Sequence, residues 1–233
     1  MTEVGRPSRH PGSRATAACA ALLLSCLALA AGPEPSHDAT SHHDFADVPY
    51  WVSVFDDPAR DAWQKPAELV RALAIRRGMA VADLGAGTGY FSRYLAEAVG
   101  PTGTVFAVEL EPNLVVHLRQ RAEREHTDNV VPVLASPENP RLPSGGVDLV
   151  LLVDTYHHLD DRLTYLGRLR RSLRSTGRIA IVEWQKRELP VGPPMEHKLA
   201  RGLVVDEMTA AGYRLIAEPD VLPYQYVVVF RAR

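Results

Sequence analysis

From Pro66 onward the chain switches between runs of consecutive apolar residues and stretches in which apolar positions recur every three or four residues. The first pattern fits a strand buried on both faces, the second a helix with one buried side. Pro66 to Arg77 reads as a helix with proline in its first turn, Leu69, Ala72 and Leu73 on one side, Arg76 and Arg77 at its end and Gly78 as its stop. "MAVADL" reads as a buried strand, followed by a helix from about Thr88 to Val99 that Gly100-Pro101 terminates. "TVFAVEL" is expected as the second strand, Pro112 to Glu125 as a helix with Leu114, Val115 and Leu118 on one face, and "NVVPVLA" as the third strand. "GVDLVLLVD", Gly146 to Asp154, is apolar throughout and belongs in the centre of a sheet.

Leu163, Leu166, Leu169 and Leu173 mark a further helix, whose opposite face of Arg162, Arg168, Arg171 and Arg174 reads as solvated surface. "GRIAIVEW" is the fifth strand, Leu199 to Ala211 a helix capped by Gly212, "YRLIAE" the sixth strand and "YQYVVVFRAR" the last. Repeated strand–helix alternation predicts right-handed crossovers and a parallel, doubly wound α/β sheet. The last two strands are separated only by "PDVLPY", too short for a crossover helix, so the final strand is expected to run antiparallel.

The first residues follow another pattern. Arg6, Arg9 and Arg14 precede "ATAACAALLLSCLALAA", Ala15 to Ala31, which carries no charge. This is the layout of an export signal, with two readable exits: lipidation at Cys26 in "LLSC", which resembles a lipobox, or cleavage near Ala30. An uncleaved membrane anchor and a cytoplasmic protein with an overextended start are the alternatives. Residues 1–31 are thus assigned to a signal or anchor, 32–44 to a flexible linker and 45–233 to the folded domain, leaving the N-terminus as the expected point of any membrane attachment. Both cysteines, Cys19 and Cys26, fall in the leader, so no disulfide or thiol chemistry is expected in the domain. His37, Asp38, His42, His43 and Asp44 read as a flexible tail rather than a metal site, and no metal is expected. A net charge of -2 gives no overall attraction to nucleic acid.

The stretch "VADLGAGTGYF" carries the chemistry, because in open parallel sheets ligands sit beyond the carboxyl ends of the strands. A dinucleotide fingerprint starting at Gly85 requires glycine at position 90, where Tyr90 stands, and no lysine follows the glycines as a phosphate loop requires. Asp83, at the strand end, repels a pyrophosphate and attracts an ammonium or sulfonium group. Asp83 to Gly89 resembles the D/E-x-G-x-G-x-G motif of class I S-adenosylmethionine-dependent methyltransferases, and the resemblance runs from about Phe45 to the C-terminus. It implies a Rossmann-like seven-stranded sheet of order 3-2-1-4-5-7-6 and S-adenosylmethionine as cofactor. Asp83, Gly85, Ala86, Gly87 and Gly89 would form the cofactor loop, and Glu109 with Leu110 the ribose end. Ser136 or Glu138 would stand where many members place an acid near the adenine, and Asp154 near the methionine part.

Methyl transfer needs alignment and a dry pocket, and a base only for a protonated acceptor. Asp154, His157 and His158 are the catalytic candidates, with Glu183 nearby as a further base. Tyr156 reads as lining the methionine pocket or touching substrate, Trp63, Gln64 and Lys65 as lid residues or as a core tryptophan with surface neighbours, His197 and Lys198 as part of a rigid loop at the pocket rim, and Tyr224 and Tyr226 as facing substrate or the sheet cover. The expected acceptor is a small molecule. The competing readings are a non-catalytic envelope protein that binds a nucleoside-like ligand and an NAD-dependent oxidoreductase, the latter disfavoured by Tyr90.

Overall fold

The computed structural model describes residues 39–40, 45 and 47–233; the segment expected as a signal or anchor, and the histidines at 37, 42 and 43, lie outside them. Seven strands form one sheet: β1 (Ala80–Leu84), β2 (Thr104–Glu109), β3 (Val130–Leu134), β4 (Val147–Val153), β5 (Leu173–Trp184), β6 (Tyr213–Ala217) and β7 (Gln225–Ala232). Their order is β3-β2-β1-β4-β5-β7-β6. β1 to β5 pair in parallel, while β7 runs antiparallel between β5 and β6. The helices are α1 (Val48–Phe55), α2 (Asp61–Gln64), α3 (Pro66–Ala72), α4 (Tyr90–Val99), α5 (Pro112–Glu125), α6 (Arg162–Leu169) and α7 (Arg201–Ala210). Among the described residues no helix is long and apolar enough to cross a membrane.

The two-residue period of the strands sorts their side chains onto two cores. Val150 and Leu152 of β4, Ile179 and Ile181 of β5 and Phe230 of β7 pack with Leu166 and Leu169 of α6 and Met208 of α7. Leu149 and Leu151, Ala180 and Val182 pack on the other face with Leu69, Phe91 and Leu95 of α3 and α4. Covered on both sides, β4 has no polar face to present, which is why its sequence is continuously apolar. Each fully buried Leu or Val contributes about 1.5–3 kcal/mol.

Some boundaries differ from the sequence pattern. α3 stops at Ala72, and Ala74 adopts a left-handed φ of 51°, turning the chain toward β1 five residues before the expected end. Leu69 and Leu73 are buried as expected, but Ala72 is exposed. α6 ends at Leu169, and Leu173 opens β5, which is longer than its apolar core suggested. Arg162 is the largest correction: it is fully buried, not on the solvated face. Its Nε and Nη2 each donate to Glu207 of α7 at 2.8 Å, and Tyr156 Oη donates to the same carboxylate at 2.8 Å. The guanidinium fork matches a carboxylate edge to edge, so the pair satisfies itself inside the core.

Candidate functional site

The crossovers place the ends of β1, β2, β4 and β5 side by side, and each of these ends carries a carboxylate. Asp83 in β1 is 3% exposed, and its Oδ2 accepts from Ser92 Oγ at 2.7 Å, tying the strand end to the first turns of α4. Burial pushes Asp83 up to about 6; the charge of Glu109 adds to this, while the Ser92 bond and Arg60 work against it.

The glycine loop turns directly over this acid. Gly85 and Gly89 have φ of 75° and 89°, a region that costs a residue with a side chain. A Cβ on Gly85 would stand 2.4 Å from Thr155 Oγ1, and one on Gly89 2.8 Å from Leu118 Cδ2. The N–H groups of the three glycines and of Ala86 are spent inside the protein. Gly85 and Ala86 N–H donate to Val108 O at 2.9 and 3.0 Å, Gly87 N–H to Glu109 Oε2 at 2.9 Å and Gly89 N–H to Ala86 O at 2.9 Å. A pyrophosphate cradle needs such groups pointing outward.

Glu109 ends β2 with its other oxygen accepting from Leu110 N–H at 2.6 Å. Burial raises its pKa, and the N–H groups of Gly87, Leu110 and Glu111 oppose that rise. Leu110 is 49% exposed, an apolar surface next to a carboxylate. Ser136 and Glu138 follow β3 at the same end of the sheet. Ala135 N–H donates to Glu109 O at 2.9 Å, Ser136 bridges to Asn139, and Glu138 is exposed with its carbonyl accepting from Arg168.

Asp154, just past β4, has a left-handed φ of 53°, backbone strain of the kind that concentrates at functional sites. Its pKa is pushed up to about 7, first by burial and then by the like charge of Glu183 at the end of β5. Arg60, His157 and the Gln225 amide pull in the other direction. His157 is 4% exposed with Nδ1 2.9 Å from both oxygens of Glu183. His158 is half-buried, its ring 4.1 Å from that of His157. Tyr156, expected in the pocket, points the other way and is fully buried against Glu207. It lies on a 3-10 turn, whose tight period sends neighbouring side chains to different sides.

The aromatic N-terminal segment lies across these strand ends. Phe55 packs over Gly87, and Asp56 accepts from Thr88 Oγ1 at 3.1 Å and from Arg121 Nη1 at 2.8 Å. The Arg60 guanidinium lies over the Tyr90 ring, 4.2 Å from its centroid, while Tyr90 Oη donates to Asp61. Of the expected lid residues, Trp63 packs against Trp184 with the rings tilted by 39° and their centroids 5.0 Å apart, and Gln64 is fully buried on Gln225, whereas Lys65 turns aside to Glu68. Within the expected linker, Thr40 N–H donates to His157 O at 2.8 Å and Thr40 Oγ1 to His197 O at 3.0 Å. Lys198 is buried and donates to Arg187 O, while Tyr226 Oη donates to Leu199 O and the residue stands directly opposite Glu183 in the β5–β7 pairing. Three site residues escaped the sequence reading: Arg60, Ser92 and Gln225. For Gln225 a signal existed, since a lone polar residue opening an apolar strand marks the position that faces the ligand end.

The sheet order, the reversed β7 and the acids around the glycine loop define a Rossmann-like methyltransferase fold. Residues 81–177 match the sequence model of a family described as a methyltransferase domain. The chain is 27% identical over 118 residues to the ubiquinone/menaquinone biosynthesis C-methyltransferase UbiE of Hahella chejuensis, covering 50% of this chain and 47% of that one. It is 25% identical over 131 residues to the demethylmenaquinone methyltransferase of Lactococcus lactis, covering 56% and 51% respectively. The chain thus spans about half the length of these curated relatives. A solved SAM-dependent methyltransferase from Aquifex aeolicus superimposes with a TM-score of 0.76 at 26% identity, covering 81% of this chain and 98% of that one.

Proposed function

We propose that this protein is an S-adenosylmethionine-dependent methyltransferase acting on a small-molecule acceptor. The observation that carries this reading is the placement of Asp83, Glu109 and Asp154 at adjacent strand ends around a loop in which the N–H groups of Gly85, Ala86, Gly87 and Gly89 are paired within the protein. Such a site favours a ligand with positive charge and hydroxyl donors over a phosphorylated one. The names of the relatives point the same way.

The residues present fit that ligand. Asp83 and Asp154 offer negative charge for a sulfonium and an ammonium, Glu109 offers acceptor oxygens for a ribose diol, and Leu110 offers an apolar surface beside it. Ser136 or Glu138 would stand toward the base. When bound, S-adenosylmethionine supplies an electrophilic methyl group. The protein's part is to exclude water with the segment from Phe55 to Gln64 and to hold the acceptor in line.

Calorimetric titration with S-adenosylmethionine, S-adenosylhomocysteine and NAD tests the reading. Binding of the first two without NAD is expected; binding of NAD alone overturns it.

A further inference from the structure

Glu183 is a carboxylate with no exposed surface, placed beneath the first of two adjacent histidines. Its Oε1 accepts from the His157 backbone N–H at 3.1 Å, and both oxygens lie 2.9 Å from Nδ1. A carboxylate on Nδ1 keeps the proton there, so the opposite ring nitrogen, Nε2, carries the lone pair. The ring is also fixed from behind, because the His157 carbonyl accepts from Thr40. A purely structural histidine is satisfied by a neutral carbonyl. A buried carboxylate costs several kcal/mol unless a cation forms beside it, which suits a ring that gains and loses a proton.

The titratable and charged groups facing the imidazole are Glu183 from β5, Asp154 from the end of β4, Arg162 from α6 and the neighbouring His158 ring, 4.1 Å away. Burial works against the imidazolium, the two carboxylates outweigh it, and Arg162 subtracts from their effect, leaving the pKa raised. An aliphatic alcohol, far less acidic than a phenol, gives imidazole a much less favourable proton transfer. A neutral amine needs no base before it attacks, and a thiol, with a pKa of about 8.5, ionises readily without help. A phenol, with a pKa near 10, is mostly protonated at neutral pH yet within reach of imidazole.

Building on the methyltransferase reading, we propose that His157 is the general base for an acceptor bearing a phenolic hydroxyl, with Glu183 as its positioning residue. His157 Nε2 takes the hydroxyl proton as the acceptor oxygen forms a bond to the methyl carbon. The carbon–sulfur bond breaks with its electron pair passing to sulfur. The positive charge lost by the sulfonium appears on the imidazolium beside Glu183, and the proton then leaves to water.

The full chain, supplied with methyl-labelled cofactor and a small-molecule extract of its host, tests this. The label is expected on an aryl ether oxygen, at a rate that rises with pH to a plateau above the pKa of His157. His157→Gln should lower kcat by about 100-fold or more, leave S-adenosylhomocysteine affinity unchanged and give a rate that keeps rising with pH as the phenol ionises unaided. Glu183→Gln should move the limb to lower pH. Independently of turnover, the His157 ring in the unloaded protein should titrate above an ordinary histidine by NMR and fall in Glu183→Gln. Label on nitrogen, sulfur or carbon, an unimpaired His157→Gln, or a ring that titrates alike in both proteins overturns the base. Failure to bind S-adenosylhomocysteine removes the methyltransferase reading itself.

Discussion

Gln225 donates from Nε2 to Asp154 Oδ1 at 2.5 Å, so a side chain at the start of β7 holds the strained acid at the end of β4. Its Oε1 accepts from Gln64 Nε2 at 2.5 Å, and Gln64 in turn accepts from Arg60. One amide therefore latches the covering segment to the site.

Gln225→Leu keeps the volume and removes both bonds. A loss of about 1–3 kcal/mol is expected, because Asp154 and Gln64 are left unmatched. Faster proteolysis between residues 56 and 65 and weaker cofactor binding should accompany it. If cleavage rate and affinity both stay at wild-type values, the latch is not one.

The raised pKa values give cofactor binding a pH dependence. Asp83, at about 6, and Asp154, at about 7, hold protons in the folded state that the unfolded chain has released. Stability of the unliganded protein should therefore fall as pH rises from about 4 to 7. A cationic ligand prefers the ionised acids, so its affinity should climb through the upper part of the same window. Calorimetry between pH 5 and 8 checks this, and Asp83→Asn should flatten the lower limb.

Gly85→Ala combines a left-handed φ with a clash on Thr155, whose Oγ1 is held by Val153 O at 2.9 Å. A loss of roughly 1–3 kcal/mol is expected from the backbone strain alone, with more from displacing Thr155. Adding Thr155→Ala should recover the part due to the clash, since it removes the two closest atoms. Urea denaturation of the single and double variants separates the two contributions.

Arg162→Ala removes the guanidinium that faces the buried Glu207 carboxylate and should cost about 3–5 kcal/mol. The double variant Arg162→Met with Glu207→Gln removes both charges and retains an acceptor for Tyr156. Most of the stability should return; a double variant as weak as the single one would mean that packing, not charge, set the loss.

The proposed export signal is tested by mass analysis of the protein from its native host. A start near Ala31 or a lipidated Cys26 is expected, and an intact Met1 removes both processing routes, leaving the uncleaved anchor and the overextended start.

The order of strands and helices was legible because hydrophobic periods are local properties of the chain. Pro112–Glu125 shows this, its buried Leu114, Val115 and Leu118 recurring at helical spacing. The glycine loop and its acids were legible for a related reason: a tight turn restricts residue type wherever it occurs. Which polar residues meet was decided only by the tertiary structure. Gln64 and Gln225 are 161 positions apart, Asp154 and Gln225 71, Arg162 and Glu207 45, and His157 and Glu183 26. No period links such positions. The sheet order brings them together, and burial then makes each choose a partner, which is how Arg162 left the surface and Glu183 came to lie under His157.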